Sequence, residues 1–383
     1  MFGATSRKAE RVTEGAVAPV TGLLGLLAAP VPQDDALLTA LEPLDSTSLP
    51  GLLERLAFHR LEGLAHRALS RLPQEAVDPW LRSTLKRRSQ RFAAATLAQG
   101  LALADILDVF DRDAIPVVVM RGLHAVETIY GGPSLRPFED HDLLILPEDR
   151  APACAALRRT GFTEEAEGLF RRGGVIVDLH TDPLGARRRP SRDRVFPLPV
   201  RDLFDRAVRD RVAGAPALWL VPEDDLLLLA IHLVKHSFDR LIRVADVAHF
   251  VFRRRGELDW RVLERRAEAS GTARILGWAL EAASILGVTV RAAHHPAPVE
   301  AGTVERMLMT RVCRLRPLPY TGEFLMTLAA PTVLARVLFL LDALWPRGER
   351  PNGVLRRSAA LPRRVYQLAQ GGAREIAARR RIR

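Results

Sequence analysis

Cysteine is scarce in this chain of 383 residues. The two present, Cys154 and Cys313, lie far apart and outside any metal-ligand spacing, which excludes a disulfide framework and a thiolate zinc site. A reducing cytoplasm fits that usage. Aromatic residues make up only 6% of the chain and none interleaves with its basic runs, so the aromatic and basic stripe of a nucleic-acid platform is missing. Long apolar runs are missing too. The stretch Leu226 to Ile231 and the segment Thr332 to Trp345 are interrupted by His232, Lys235, Arg336 and Asp342, short of the roughly 20 apolar residues of a membrane span. The apolar stretch from Gly15 to Pro30 follows Glu10 and Glu14 instead of a compact basic start, against a secretory signal. A soluble, cytoplasmic protein without a transmembrane segment is the expectation.

What the chain has is apolar content and arginine. Hydrophobic residues make up 48%, enough for a large core and for two or three domains. The formal charge of +11, carried almost wholly by arginine, favours anionic partners: nucleotides, nucleic acid or acidic lipid. Part of it reflects an Ala, Leu and Arg bias.

Three regions follow from the patterning: residues 1–100, a helical N-terminal region; 101–200, a compact core; and 201–383, helices ending in the basic tail Arg374 to Arg383. Leu103, Ile106, Leu107 and Phe110 form a helical stripe. The basic run from Lys86 to Arg91 reads as a solvated helix face. The texture then changes to the β-branched run Ile115 to Met120, a short helix from His124 to Tyr130, and a second strand from Asp142 to Leu146. Glu148 to Thr160 is helical, and Gly173-Gly174 joins two strands as a hairpin. A linker rich in Pro and Arg, from Asp182 to Pro199, leads into helices that continue to the C-terminus.

Within Arg136-Pro-Phe-Glu-Asp-His-Asp-Leu-Leu-Ile145, alternation puts Asp140 and Asp142 on one strand face and His141 on the other. Two like charges side by side need solvent or a cation, and a divalent magnesium ion on carboxylate oxygens satisfies that; so does a merely solvated turn. The second hairpin arm, Val175-Ile-Val-Asp-Leu-His180, puts Asp178 and His180 on one face. If the two strands are neighbours, three acids converge, enough to hold two magnesium ions for an in-line nucleotidyl displacement. Without metal such acids repel, so neutralising any one of them should leave stability intact.

The order Met120-Arg-Gly122, Tyr130, Arg136 to Ile145, Gly161-Phe162 and Val177-Asp-Leu-His180 resembles the uncharacterised nucleotidyltransferase family of the DNA-polymerase-β-like superfamily. The likeness continues as Ile231-His-Leu-Val-Lys-His236, Arg240-Leu241 and Asp246. It implies an α+β fold, a short mixed sheet flanked by helical N- and C-terminal regions. It also implies metals on Asp140 and Asp142, with Asp178 completing the site and helping to deprotonate an acceptor hydroxyl. Gly122 would let the backbone approach the nucleotide phosphates and Arg121 would neutralise them, with Lys235 and His236 contacting phosphate or acceptor.

The chain departs from the family at Arg121, where lysine is usual, and at His141, where isoleucine is usual; His141 reads as a packing position. Arg136 either closes on the triphosphate or pairs with Glu139. His232 and His236 share a helix face without a third ligand, which favours contacts beside Lys235, or structure, over zinc. Arg187-Arg-Arg189 with Arg192 and Arg194 lies beside the Asp178 strand or forms a solvated loop.

The function implied is Mg-dependent transfer of a nucleoside monophosphate from an NTP, ATP-binding being among the expectations, to the hydroxyl of a small molecule, peptide, protein or RNA. The alternatives are a non-catalytic nucleic-acid-binding or regulatory protein on the same fold, and a toxin-like enzyme acting on RNA.

Overall fold

The computed structural model describes residues 22–184, 191–288 and 322–344. The Arg187 to Arg189 cluster and the tail Arg374 to Arg383 lie outside these residues.

The chain enters through short helices: α1 over residues 22–28, α2 (Asp34–Leu41), α3 (Leu49–His59) and α4 (Glu62–Leu69). They feed a 34-residue helix, α5 (Pro79–Arg112), whose start is fixed by Asp78, which accepts hydrogen bonds from the backbone N–H groups of Trp80 and Leu81, and by Pro79 at the first helical position. By length and composition α5 is the one helix among the described residues apolar enough to cross a membrane, where no such stretch was expected. Its inner half packs against the sheet. The expected stripe Leu103, Ile106, Leu107 and Phe110 is buried there, and Gln99 donates to the Gly174 carbonyl.

The sheet is mixed and seven-stranded. Its strands are β1 (Val117–Met120), β2 (His141–Ile145), β3 (Thr163–Ala166), β4 (Leu169–Arg172), β5 (Val175–His180), β6 (Val208–Val212) and β7 (Ala215–Trp219), in the order β3-β4-β5-β2-β1-β7-β6. Between β1 and β2 lies α6 (Gly122–Ala125), widening into a π turn over Val126–Tyr130. After β2 comes α7 (Arg150–Arg159). The predicted hairpin forms across Gly173-Gly174, with Arg172 paired to Val175.

One stretch differs from expectation. Residues assigned to a run of helices after the linker, which itself holds α8 (Ser191–Val195) and is followed by α9 (Val200–Arg206), instead contribute the β6–β7 hairpin. Its reading was obscured by Pro216 within β7 and by the charged Arg209, Asp210 and Arg211 of β6. What makes it strand is tertiary: β7 docks parallel to β1, with Val118 opposite Leu218.

The helical half follows as α10 (Pro222–Lys235), α11 (Leu241–Arg254), α12 (Trp260–Ala269), α13 (Ala273–Ser284), α14 (Gly322–Ala329) and α15 (Val333–Leu344). Strand alternation divides the core in two. Val117, Val119, Leu143, Ile145, Val177 and Leu179 join α5 and α7 on one side, whereas Val118, Met120 and Leu144 join the cluster containing α10, α11 and α13 on the other. Asp142 has the parity of Leu144. The acids of the sheet are therefore turned toward the helical half.

Candidate active site

β2 and β5 are parallel neighbours, and their register sets Asp142 directly opposite Asp178 and Leu144 opposite His180. This is the juxtaposition that the sequence left conditional. One ligand atom each from Asp142, Asp178 and His180 lie within 4.8 Å of one another, the one such metal-capable group among the described residues. His180 Nε2 donates to Asp142 Oδ1 at 2.9 Å and lies 3.4 Å from Asp178 Oδ2. The donor set of two carboxylates and one imidazole fits a divalent cation. Carboxylate oxygens suit magnesium or manganese, and the nitrogen shifts the balance toward manganese.

Asp140 stands just before β2, outside that group but close enough for its charge to be felt. Burial, then the neighbouring Asp142, raises its carboxyl above the ordinary value. Asp142 behaves in the opposite way. Burial alone would raise it, but the Arg121 guanidinium and the His180 hydrogen bond outweigh that and hold it well below the usual carboxylate range. Arg121 grips both oxygens, Nε to Oδ2 at 3.0 Å and Nη2 to Oδ1 at 2.8 Å. The expectation that every acid would sit in net repulsion therefore fails for Asp142, which already has a cation.

That grip comes from the end of β1, where Met120 pairs with Asp142. The next residue, Arg121, adopts φ 52° and ψ −143°, in the left-handed half of conformational space, and Gly122 follows at φ 44°. A Cβ on Gly122 would come within 3.3 Å of the Asp140 carbonyl oxygen. Glycine here permits close approach of this turn to the Asp140 segment.

Arg136 forms a pair other than the one considered. Its guanidinium is bidentate on Asp246 of α11, at 3.2 and 2.8 Å, and Tyr130 donates its hydroxyl to the same carboxylate at 2.8 Å. Glu139 pairs with Arg60 of the N-terminal region. His141 is buried on the opposite sheet face with Nε2 at 3.0 Å from Gln99 Oε1, and burial pushes its pKa down to about 4. It packs as expected.

The end of α10 brings His232 and His236 within electrostatic reach of Arg121, and His236 within reach of Asp142, with the Lys235 charge felt by both rings. The two imidazole centroids are 4.5 Å apart. Arg243 of α11 donates Nε–H to His232 Nε2 at 3.3 Å and pairs with Asp239. Burial, followed by the charges of Arg121, His236 and Arg243, pushes His232 well below its ordinary value; burial, then Arg243 and Lys235, takes His236 down to about 3. Both rings are neutral at pH 7 in a strongly positive setting. Ser237 and Phe238, at φ 56° and 53°, turn the chain from this helix end toward Arg240 and Arg243. Arg243 escaped the sequence reading, although it lies between the quoted Arg240 and Asp246. Arg192, by contrast, is buried and donates to the Leu184 carbonyl, away from solvent.

An apolar groove of about 610 Å³ lies elsewhere, between α1 and the end of α13, lined by residues such as Leu26, Val31 and Phe252. It carries no ionisable side chain, unlike the β2–β5 cluster.

The description "uncharacterised nucleotidyltransferase" matches residues 45–287, well over half of the chain and the span that includes every site residue named above. The chain belongs to the uncharacterised nucleotidyltransferase family. It is accordingly an enzyme of the nucleotidyltransferase class. Two solved structures of ANT(2")-Ia are similar over 45% of this chain. One, in complex with adenylyl-2"-tobramycin, shares 15% identity over 96% of its own length with a TM-score of 0.32. The other, a solution structure of that antibiotic-resistance factor, shares 16% over 90% with a TM-score of 0.31. At those scores neither bears on substrate. No curated protein matches the chain.

Proposed function

We propose that this nucleotidyltransferase moves a nucleoside monophosphate from a nucleoside triphosphate to an acceptor hydroxyl at the Asp140, Asp142 and Asp178 site. The observation that carries the reading is the direct pairing of Asp142 with Asp178 across parallel strands, with His180 beside both. Asp142 and Asp178, with His180, would hold one divalent cation, and Asp140 would help hold a second; magnesium or manganese there would neutralise the triphosphate and lower the pKa of the attacking hydroxyl.

The protein's own groups do the rest. Asp178, 39% exposed at its side chain against 13% for Asp142, is the more open of the facing pair and would accept the acceptor's proton. The acceptor oxygen then bonds to the α-phosphorus, the bond from that phosphorus to the bridging oxygen breaks, and pyrophosphate leaves with the electron pair. Arg121, Lys235, His236 and Arg243 would bind phosphate oxygens, the neutral imidazole as a hydrogen-bond donor and the others as cations. Arg136, committed to Asp246, holds the segment that carries Asp140 instead of touching the nucleotide.

The test is pyrophosphate release from each labelled NTP, with Mg²⁺ or Mn²⁺, against fractionated cell extract that supplies small-molecule, peptide, protein and RNA acceptors. Labelling of one fraction is expected, reduced at least about a hundredfold by Asp178→Asn in a protein that still folds. Undiminished labelling by that variant would move the chemistry away from β5.

A further inference from the structure

We propose that the Arg121 guanidinium is a placeholder for the divalent cation on Asp142, so that cation and polyphosphate enter this site together and neither occupies it alone. The inference rests on the functional reading above and goes beyond it to the order of binding.

The placeholder is read from occupancy of the carboxylate. Arg121 takes Oδ2 through Nε and Oδ1 through Nη2, and His180 Nε2 takes Oδ1 as well. Both Asp142 oxygens are engaged, in a pair whose side chains are only 11% and 13% exposed. A cation approaching the Asp142, Asp178 and His180 atoms meets a positive charge already seated on one of its three ligands. The cation gains Asp142 fully as the guanidinium leaves, which removes the charge that opposes it.

Where the guanidinium can go decides the rest. Its other close electrostatic neighbours are Asp140, a single carboxylate that the functional reading gives to a second cation, and Arg136, His232 and His236, which offer no negative charge. A bare cation would therefore leave a desolvated guanidinium with Asp140 alone, among groups that otherwise repel it or ignore it. A cation carrying a polyphosphate brings both replacements at once: the metal takes the carboxylate, and phosphate oxygens take the planar fork, which binds phosphate and carboxylate with the same two-pronged geometry. The backbone favours a side-chain swing over a loop movement, because Arg121 is held at φ 52° between a fully buried strand and Gly122. Its Cα stays in place while the side chain changes partner.

The experiment measures Mn²⁺ binding by electron paramagnetic resonance, without turnover, in the full chain. Arg121→Ala should bind Mn²⁺ alone at least about tenfold more tightly than wild type, with Arg121→Lys between them because an ammonium keeps the charge but loses the fork. Adding Asp178→Asn to Arg121→Ala should weaken that binding and so locate it. In wild type alone, which guards against a poorly folded variant, Mn²⁺ with inorganic triphosphate should give a protein-bound signal at concentrations where Mn²⁺ by itself gives almost none. Wild type that takes up Mn²⁺ equally well without triphosphate, or that matches Arg121→Ala while Asp178→Asn weakens both, overturns the placeholder and leaves the metal site standing. Mn²⁺ binding that Asp178→Asn does not change in either background overturns the metal site as well.

Discussion

Two arginines grip two aspartates in the same two-pronged way, and their surroundings make them different devices. At Arg136 and Asp246 both partners are buried, a tyrosine hydroxyl completes the carboxylate, and the pair ties the segment before β2 to α11. Burial works against the Arg136 charge, but Asp246 outweighs it and raises the guanidinium above its ordinary value. At Arg121 and Asp142 the same geometry sits beside Asp140, Asp178 and His180, on a strained backbone and with the carboxylate 13% exposed against 2% for Asp246. An ion pair by itself does not mark a site. Surplus carboxylates around it do, because they supply ligands that the arginine alone cannot satisfy.

The comparison breaks hardest at Asp246. Asp246→Ala leaves a buried guanidinium and a buried phenol without their acceptor, and stability should fall by about 3 to 5 kcal/mol, read as a drop in urea midpoint. Asp178→Asn, at a half-open position, should change that midpoint little while removing activity. If instead Asp246→Ala unfolds no more easily than wild type, the clamp is not what holds the segment. Asp142→Asn should fall between the two, since it uncouples Arg121 in a mostly buried pair; Asp140→Asn relieves repulsion and should not destabilise.

A subtler probe lies behind Tyr130, whose ring is 4.7 Å from that of His249. Burial pushes His249 down to about 4, against a hydrogen bond from its Nε2 to the Ala28 carbonyl that acts the other way. Because the folded value lies below the unfolded one, the unfolded chain binds the extra proton first. The stability this histidine contributes is complete above roughly pH 6.5 and is lost as pH falls toward 4, on the order of 2 kcal/mol at about pH 5. His249→Gln should flatten the fall in urea midpoint between about pH 7 and 5. An unchanged slope would place the titration elsewhere. Smallest of all is Glu139→Gln, which loosens the Arg60 pair at a side chain 73% exposed and should shift stability by less than about 1 kcal/mol.

Much of this was readable along the chain. Strand period placed Asp142, Asp178 and His180 on one face, though Asp140 lies just ahead of β2, and the helical stripe Leu103 to Phe110 marked a buried side, because side-chain direction follows local backbone geometry whatever the partner is. Tertiary structure alone decided the rest. It set β2 beside β5 in the register that pairs Asp142 with Asp178, turned Pro216 and its neighbours into a strand along β1, and gave Arg121 to Asp142 and Arg136 to Asp246. Those outcomes join residues as many as 110 positions apart. Local pattern specifies which face a charge occupies, whereas its partner depends on which elements pack together, a choice made by the buried core as a whole.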